Sequence, residues 1–268
     1  MFMIKKIQEK LHIDSKWRLA LKIMPFVVVV ALLKFIAHYL GWEFLTINAL
    51  FTALISANIF LIGFLISGVL VDYKESEKLP GDLSASIETM VDEGVIIYTN
   101  KKSPESKNYI YKLIEFNKNI INWFHRKERT QKILTDLSSF NQDFLFFESQ
   151  TQANFIVRLK QEQSSIRKMI NRIHTIRENS FLGTGYAIAE IITSILVFGL
   201  IFIKMDKFYE SVFFVSFVSY ILIYMIYFIK DLDNPFGYNE EDSLVEDVSL
   251  KPLVDAQKRL EEIYKGIQ

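Results

Sequence analysis

The sequence predicts an all-α membrane protein with four transmembrane helices in two hairpins and a cytoplasmic region of long helices. Half of the 268 residues are hydrophobic, 23% are charged, and the mean hydropathy is +0.19. Along the chain these two classes separate into apolar blocks and charged segments. That pattern excludes intrinsic disorder, collagen-like repeats and a small disulfide scaffold.

Four apolar blocks are long enough to cross a bilayer, which takes about 20 residues. The second block contains no charged side chain, and the third and fourth contain one acid each, Glu190 and Glu210. The first block is less uniform, because Lys22, Pro25 and Lys34 interrupt it. A buried helix of a soluble protein is the alternative interpretation of each block. The blocks are residues 19–40, 44–71, 185–203 and 208–229.

The short links between the first two and the last two blocks predict antiparallel hairpins. Lys and Arg are concentrated before the first and third blocks, and cytoplasmic segments carry such an excess. Lys204 and Lys207 in the second link are a weak counter-signal. We therefore expect an integral protein of the plasma (inner) membrane with both termini in the cytoplasm.

The segment between the hairpins is predicted to be soluble and helical. It has no glycine between positions 95 and 182 and one proline, and apolar stripes predict helices over 109–129 and 155–176. A last helix is expected over 253–263, after Pro252. These helices are expected to pack on one another rather than bind a ligand. The predicted regions are 1–18 (cytoplasmic), 19–71 (spans 1 and 2), 72–184 (cytoplasmic helices), 185–230 (spans 3 and 4) and 231–268 (acidic turn and C-terminal helix).

Several function classes have no support in the sequence. The 31 basic residues balance the 31 acidic ones, so no overall basic surface exists to hold nucleic acid. Cysteine chemistry is excluded because the chain has no cysteine. The four histidines are far apart, and no phosphate loop, dinucleotide fingerprint or hydrolase motif occurs. We therefore expect that the protein is not an enzyme.

A stripe of spaced side chains marks the second span. Ser56, Phe60, Phe64 and Gly68 follow one another at four-residue intervals, which places them on one side of a helix. Several copies of this helix around an axis would form a hydrophobic constriction, and the positive edges of phenyl rings favour anions. Packing against a neighbouring helix or lipid is the alternative role of such a stripe.

Two motifs resemble the bestrophin family, of which this chain would be a divergent member. Residues 56–83 read SANIFLIGFLISGVLVDYKESEKLPGDL, which is similar to the second transmembrane helix of bestrophins and the turn beyond it. Residues 231–242 read DLDNPFGYNEED, which is similar to the bestrophin Asn-Pro-Phe-Gly and its acidic cluster. The order of spans and soluble helices also agrees.

The resemblance implies a homopentameric channel for chloride or other small anions. In bestrophins the second helices form a narrow hydrophobic neck, and Phe60 and Phe64 match two of its three positions. Ser56 falls at the third, where the family usually has an aliphatic residue. This departure would widen or wet one end of the neck.

The resemblance also implies a candidate calcium site, although no cofactor is required for passive conduction. Calcium-activated bestrophins bind the ion through oxygen atoms of the acidic cluster, as a hard cation requires. Asn234 and Asp242 match those positions, whereas Asp231 and Asn239 replace the usual glutamine and aspartate. The alternative is that the acidic stretch only solvates and caps the turn after the fourth span.

Two rival functions remain open at the level of sequence. A non-conducting membrane scaffold would use its cytoplasmic helices to bind a partner protein. A secondary transporter would use an intramembrane charge such as Glu190 or Lys34, but transporters often have paired interrupted spans, and only one span contains a proline, Pro25.

Overall fold

The computed structural model describes residues 17–178, 183–237 and 247–267. The expected all-α architecture is confirmed, since every regular element in these ranges is a helix and the only extended pairing is one β-bridge. The helices are α1 (Arg18–Tyr39), α2 (Ala49–Lys101), α3 (Pro104–Phe124), α4 (Thr130–Glu148), α5 (Ala153–Glu178), α6 (Gly183–Ile201), α7 (Phe208–Leu232) and α8 (Lys251–Ile267).

Four helices are long and apolar enough to cross a membrane: α1, α2, α6 and α7. Most of their apolar side chains face outward, as they do when lipid replaces water around a helix. The chain is therefore an integral membrane protein.

The chain divides into two compact units. The membrane unit contains α1, residues 49–72 of α2, α6 and α7. Its helix contacts include those of α1 with α7, α6 with α7 and α1 with α6. A small apolar core includes Val30, Ala37, Leu200 and Val215.

The helical unit contains residues 73–101 of α2 together with α3, α4, α5 and α8. In this unit α3 packs on α4 and α8, and α4 packs on α5. Its apolar core is much larger and includes Trp123, Phe140 and Ile166, which are almost completely buried. The expected packing of these helices on one another is what the structure contains.

The start of α2 differs from the prediction of a helix over 44–71. The helix begins at Ala49 because the side chain of Asn48 caps it, accepting a hydrogen bond from the Phe51 amide at 2.8 Å. The preceding Leu45 is extended, and its amide donates to the Phe202 carbonyl at 3.1 Å. Its carbonyl accepts from the Lys204 amide at 2.7 Å, so the two interhelical links pair through their backbones.

The end of α2 also differs from the prediction, because the helix continues for 30 residues beyond position 71 and passes through Pro80. A proline inside a helix removes one backbone hydrogen bond and costs about 3 kcal/mol. Leu79, Pro80 and Leu83 are buried in the helical unit, and their packing offsets that cost.

Candidate functional site

The three predicted neck residues lie on a face of α2 that nothing else in the described chain covers. Phe60 is 79% exposed and Phe64 is 60% exposed, and Ser56 is exposed as well. The opposite face is buried, with Ile62 and Leu65 in the interior of the membrane unit. Successive members of the stripe lie about 6 Å apart along the helix, given a rise of about 1.5 Å per residue.

Ser56, at the polar end of this stripe, forms its hydrogen bond within α2. The Ser56 hydroxyl donates a hydrogen bond of 3.0 Å to the Thr52 carbonyl, one turn earlier. A serine that bonds to its own backbone in this way needs no water to satisfy its donor. The hydroxyl oxygen still faces outward, so the stripe consists of two phenyl rings and one small polar group.

One hydrogen bond between buried side chains joins α2 to its neighbour α6. The Asn58 amide donates to the Thr193 hydroxyl at 2.9 Å, and both side chains are buried. Such bonds between apolar helices contribute about 0.6 kcal/mol on average. This contact lies on the buried side of α2, which also carries Ile62 and Leu65, whereas Phe60 and Phe64 lie on the exposed side.

A charged cluster occupies the link between α1 and α2. Lys34 is completely buried, and its ammonium group donates to Glu43 Oε1 at 2.6 Å and to the Ile203 carbonyl. His38 Nδ1 lies 3.0 Å from Glu43 Oε2, and the His38 ring stacks on Phe208 with 4.3 Å between centroids. The cluster ties both interhelical links to the last turns of α1.

The cluster also explains the ionisation of Glu43. Partial burial acts to raise the pKa of this carboxyl group, but the hydrogen bonds from Lys34 and His38 outweigh it and hold the pKa below the ordinary value. Glu43 is therefore a carboxylate at neutral pH and balances the buried ammonium. The sequence contains a signal for this pair, because the opposite charge of Glu43 follows Lys34 by nine positions.

The intramembrane acid Glu190 is also paired. Its Oε1 atom lies 2.6 Å from the Lys230 ammonium near the end of α7. Both side chains are about half exposed, so water surrounds this pair more than the buried pair at Lys34. Glu190, like Lys34, therefore has an opposite charge beside it in the structure.

The candidate calcium ligands fall only partly within the described residues. Asp231 lies in the last turn of α7 and Asn234 just after it, where the Asn234 amide donates to the Asp231 carbonyl at 3.4 Å. Asn239 and Asp242 lie outside the described residues. Within the described ranges, no three His, Asp or Glu side chains come together as a metal site. The calcium site therefore stays a prediction.

Comparisons with known proteins identify the fold. No protein-family model matches the sequence, and no curated protein matches it. The crystal structure of a bacterial bestrophin homologue from Klebsiella pneumoniae is 14% identical and matches with a TM-score of 0.73, over 94% of this chain and 99% of that one.

Two further structures give the same result. A single-residue variant of the Klebsiella pneumoniae homologue is 14% identical and has a TM-score of 0.78, over 91% of this chain and 99% of that one. A structure described as a membrane protein is 14% identical and has a TM-score of 0.76, over 91% of this chain and 98% of that one. The bestrophin resemblance of the two sequence motifs is thus confirmed at the level of the fold, and this chain is an integral membrane protein with the fold of the bacterial bestrophin homologues.

Proposed function

We propose that this protein is a bestrophin-like anion channel, which conducts chloride or other small anions passively through a homopentameric pore. The neck of this pore is formed by the faces of α2 that carry Ser56, Phe60 and Phe64. The observation that supports this most strongly is the uncovered face of α2, because two large phenyl rings point away from the rest of the membrane unit.

The physical role of the two rings follows from their chemistry. A ring of phenyl groups makes a narrow passage that water wets poorly, so it limits ion flow without a moving gate. The positive edge of each phenyl group interacts better with an anion than with a cation. Ser56 lies one turn away and supplies the polar end of the same passage.

The packing of α2 supports an arrangement of several copies. The face of α2 that carries Ile62 and Leu65 is buried in the membrane unit, whereas the face that carries Phe60 and Phe64 is exposed. Copies of α2 around an axis would bury the exposed face. The pentamer itself follows from the bestrophin resemblance, as do the cytoplasmic location of both termini and a calcium site that includes Asp231, Asn234, Asn239 and Asp242.

The proposal is tested by anion flux into liposomes that contain the purified protein. Phe60→Ala and Phe64→Ala are expected to change the flux, because each removes part of the constriction. Phe213→Ala is the matched control, since Phe213 is 61% exposed but lies on α7. Repeating the measurement with calcium and with a chelator tests the calcium site. Protein that inserts well and conducts no anion in any condition would contradict the proposal.

The second candidate function is a non-conducting scaffold, whose soluble helices bind a partner protein. The helical unit exposes several large apolar side chains, including Ile96, Leu145 and Val157, which a partner could cover. The oligomeric mass in detergent separates the two functions, since the neck requires a ring of copies. A monomer or dimer would favour the scaffold, and a pentamer would favour the channel.

A further inference from the structure

The helical unit contains a cavity of about 600 Å³ whose lining is rich in arginine. It lies where the end of α3, the beginning of α4 and the last turns of α5 come together. We call it the arginine pocket. The lining residues used below are Trp123, Arg126, Arg129, Thr130, His174 and Arg177.

The backbone at the first of these arginines favours a different residue. α3 ends with the Arg126 amide donating to the Trp123 carbonyl at 3.0 Å and the Lys127 amide donating to the Asn122 carbonyl at 2.9 Å. This pair of bonds places Arg126 in the left-handed region, with φ at 55°, where glycine or asparagine is usual. The backbone of this turn therefore does not favour an arginine at position 126.

The beginning of α4 adds positive potential to the same cavity. Arg129 is the residue at the helix cap, and its side chain forms no capping hydrogen bond. The first turn contains no acidic residue. The positive end of the helix dipole and the first amide groups are therefore left to whatever fills the cavity.

The remaining wall is held in place by contacts between side chains. The Trp123 indole donates to the Thr130 hydroxyl at 3.0 Å, and His174 Nδ1 lies 3.3 Å from that hydroxyl. Arg177 donates to the Trp123 carbonyl at 3.2 Å, and its guanidinium lies 5.3 Å from the centre of the Trp123 ring. These contacts orient the wall before any ligand arrives.

Arginine outnumbers acid in the lining of the cavity. The lining contains three arginines and two acidic residues, Glu128 and Glu178, and Glu128 pairs with Lys132 at 2.6 Å. A second cavity in the same unit, of about 400 Å³, provides a contrast. Its lining includes one basic residue, Lys101, and no arginine.

We propose that the arginine pocket binds a phosphate group, carried either by a small solute or by a lipid headgroup. Guanidinium groups and the amides of a helix N-terminus are the donors that phosphate oxygens prefer. A lipid is one of the two sources because Arg177 lies only six positions before Gly183, the first residue of α6. This binding does not depend on ion conduction, so the channel and the phosphate site can fail separately.

Trp123 makes the proposal measurable. It is one of three tryptophans, so Trp17→Phe with Trp42→Phe leaves it as the only indole in the full-length protein. We expect inorganic phosphate to change its fluorescence saturably in detergent if the ligand is a solute. If the ligand is a lipid, the change is expected only in nanodiscs that contain phosphatidylglycerol, compared with pure phosphatidylcholine.

Two variants separate binding from folding. Arg129 is exposed, so Arg129→Gln should leave the fold intact. This variant is expected to weaken the fluorescence response to phosphate about tenfold or more, which is the usual effect of losing one charge-assisted hydrogen bond. Arg126→Gly is expected to weaken binding without disturbing the turn, since glycine suits the positive φ. Lys101→Gln in the second cavity is the control and should leave the response unchanged.

The outcomes decide the proposal in both directions. A saturable response to either phosphate source that Arg129→Gln weakens supports the site and identifies the source. The proposal is overturned if neither source gives a saturable response, or if Arg129→Gln responds like the parent. It is also overturned if chloride at matched ionic strength gives the same response as phosphate.

Discussion

The membrane unit and the helical unit are both built from α-helices, but they differ in how many apolar side chains they expose. In the membrane unit many phenyl and isoleucine side chains face outward, such as Phe64 and Ile191, whereas Lys34 is completely buried. In the helical unit most apolar side chains form one large core and most charged ones lie outside, although Glu93 is buried. The surrounding solvent, lipid or water, decides which side of a helix is turned inward.

The same comparison applies to ion pairs. The pair between Lys34 and Glu43 is almost fully buried, with the two side chains 0% and 11% exposed. The pair between Glu75 and Arg172 in the helical unit is about 40% exposed on both sides. Removing the partner of a buried charge costs several kcal/mol of stability, because no water replaces the partner. Removing the partner of an exposed charge costs little, because water takes its place.

The largest expected effect breaks the buried pair. Lys34→Met leaves the Glu43 carboxylate with little water and without its main partner, and should destabilise the protein by about 3 kcal/mol or more. Thermal unfolding in detergent measures this. Lys230→Met is the matched control at a half-exposed pair, and a loss below about 1 kcal/mol is expected there. Equal losses in the two variants would contradict the role of burial.

The second prediction compares one substitution in the two units. Ile166→Ala removes a fully buried side chain from the core of the helical unit and should cost about 3 kcal/mol. Ile191→Ala removes a side chain of α6 that is 58% exposed, so it should cost much less. Thermal unfolding of both variants checks the difference. If Ile191→Ala proves as costly as Ile166→Ala, the outward-facing position of Ile191 is wrong.

The third prediction concerns the hydrogen bond between Asn58 and Thr193. Its removal in Asn58→Leu should change stability by less than about 1 kcal/mol, because the loss of the bond is partly offset. The offset arises because Asn58 Oδ1 is a buried acceptor with no hydrogen-bond partner among the described residues. A double-mutant cycle with Thr193→Val measures the coupling. A coupling near zero would mean that this bond does not hold α2.

The smallest expected effect depends on pH. The hydrogen bond from Arg172 holds the pKa of Glu75 below its ordinary value of 4.5, against a smaller opposite effect of burial. A lowered pKa in the folded state stabilises the protein above the unfolded pKa, and this contribution disappears as the pH falls through the folded pKa. Stability curves of the parent and Glu75→Gln should therefore differ slightly at neutral pH and converge below about pH 4.5. If the two stability curves instead move apart as the pH falls, the lowered pKa of Glu75 is contradicted.

The fold was largely predictable because long apolar blocks and helical stripes depend on local sequence. The four spans and the helices of the middle region follow from such patterns. The first and last residues of α2 could not be predicted from such patterns. Its start depends on the pairing of Leu45 with the Phe202–Lys204 link. Its continuation through Pro80 depends on core packing in the helical unit. Both are contacts between positions far apart in sequence.

The candidate site was predictable only in part. The four-residue spacing of Phe60 and Phe64 placed them on one face, but only the structure establishes that nothing in the described chain covers that face. The arginine pocket had no sequence signal, because the run from His125 to Arg129 resembles any solvated turn. The cavity forms only in the folded chain, where α5 places His174 and Arg177 beside this run.

The most direct test of the proposed pore uses the absence of cysteine from the chain. Phe64→Cys and Phe213→Cys each introduce a single thiol at positions that are 60% and 61% exposed, on α2 and α7. A charged, water-soluble thiol reagent is added during anion flux into liposomes. We expect the reagent to change the flux of Phe64→Cys and to leave Phe213→Cys unaffected, since only α2 lines the pore. Unchanged flux in Phe64→Cys despite complete modification of its thiol would contradict a pore lined by this face of α2.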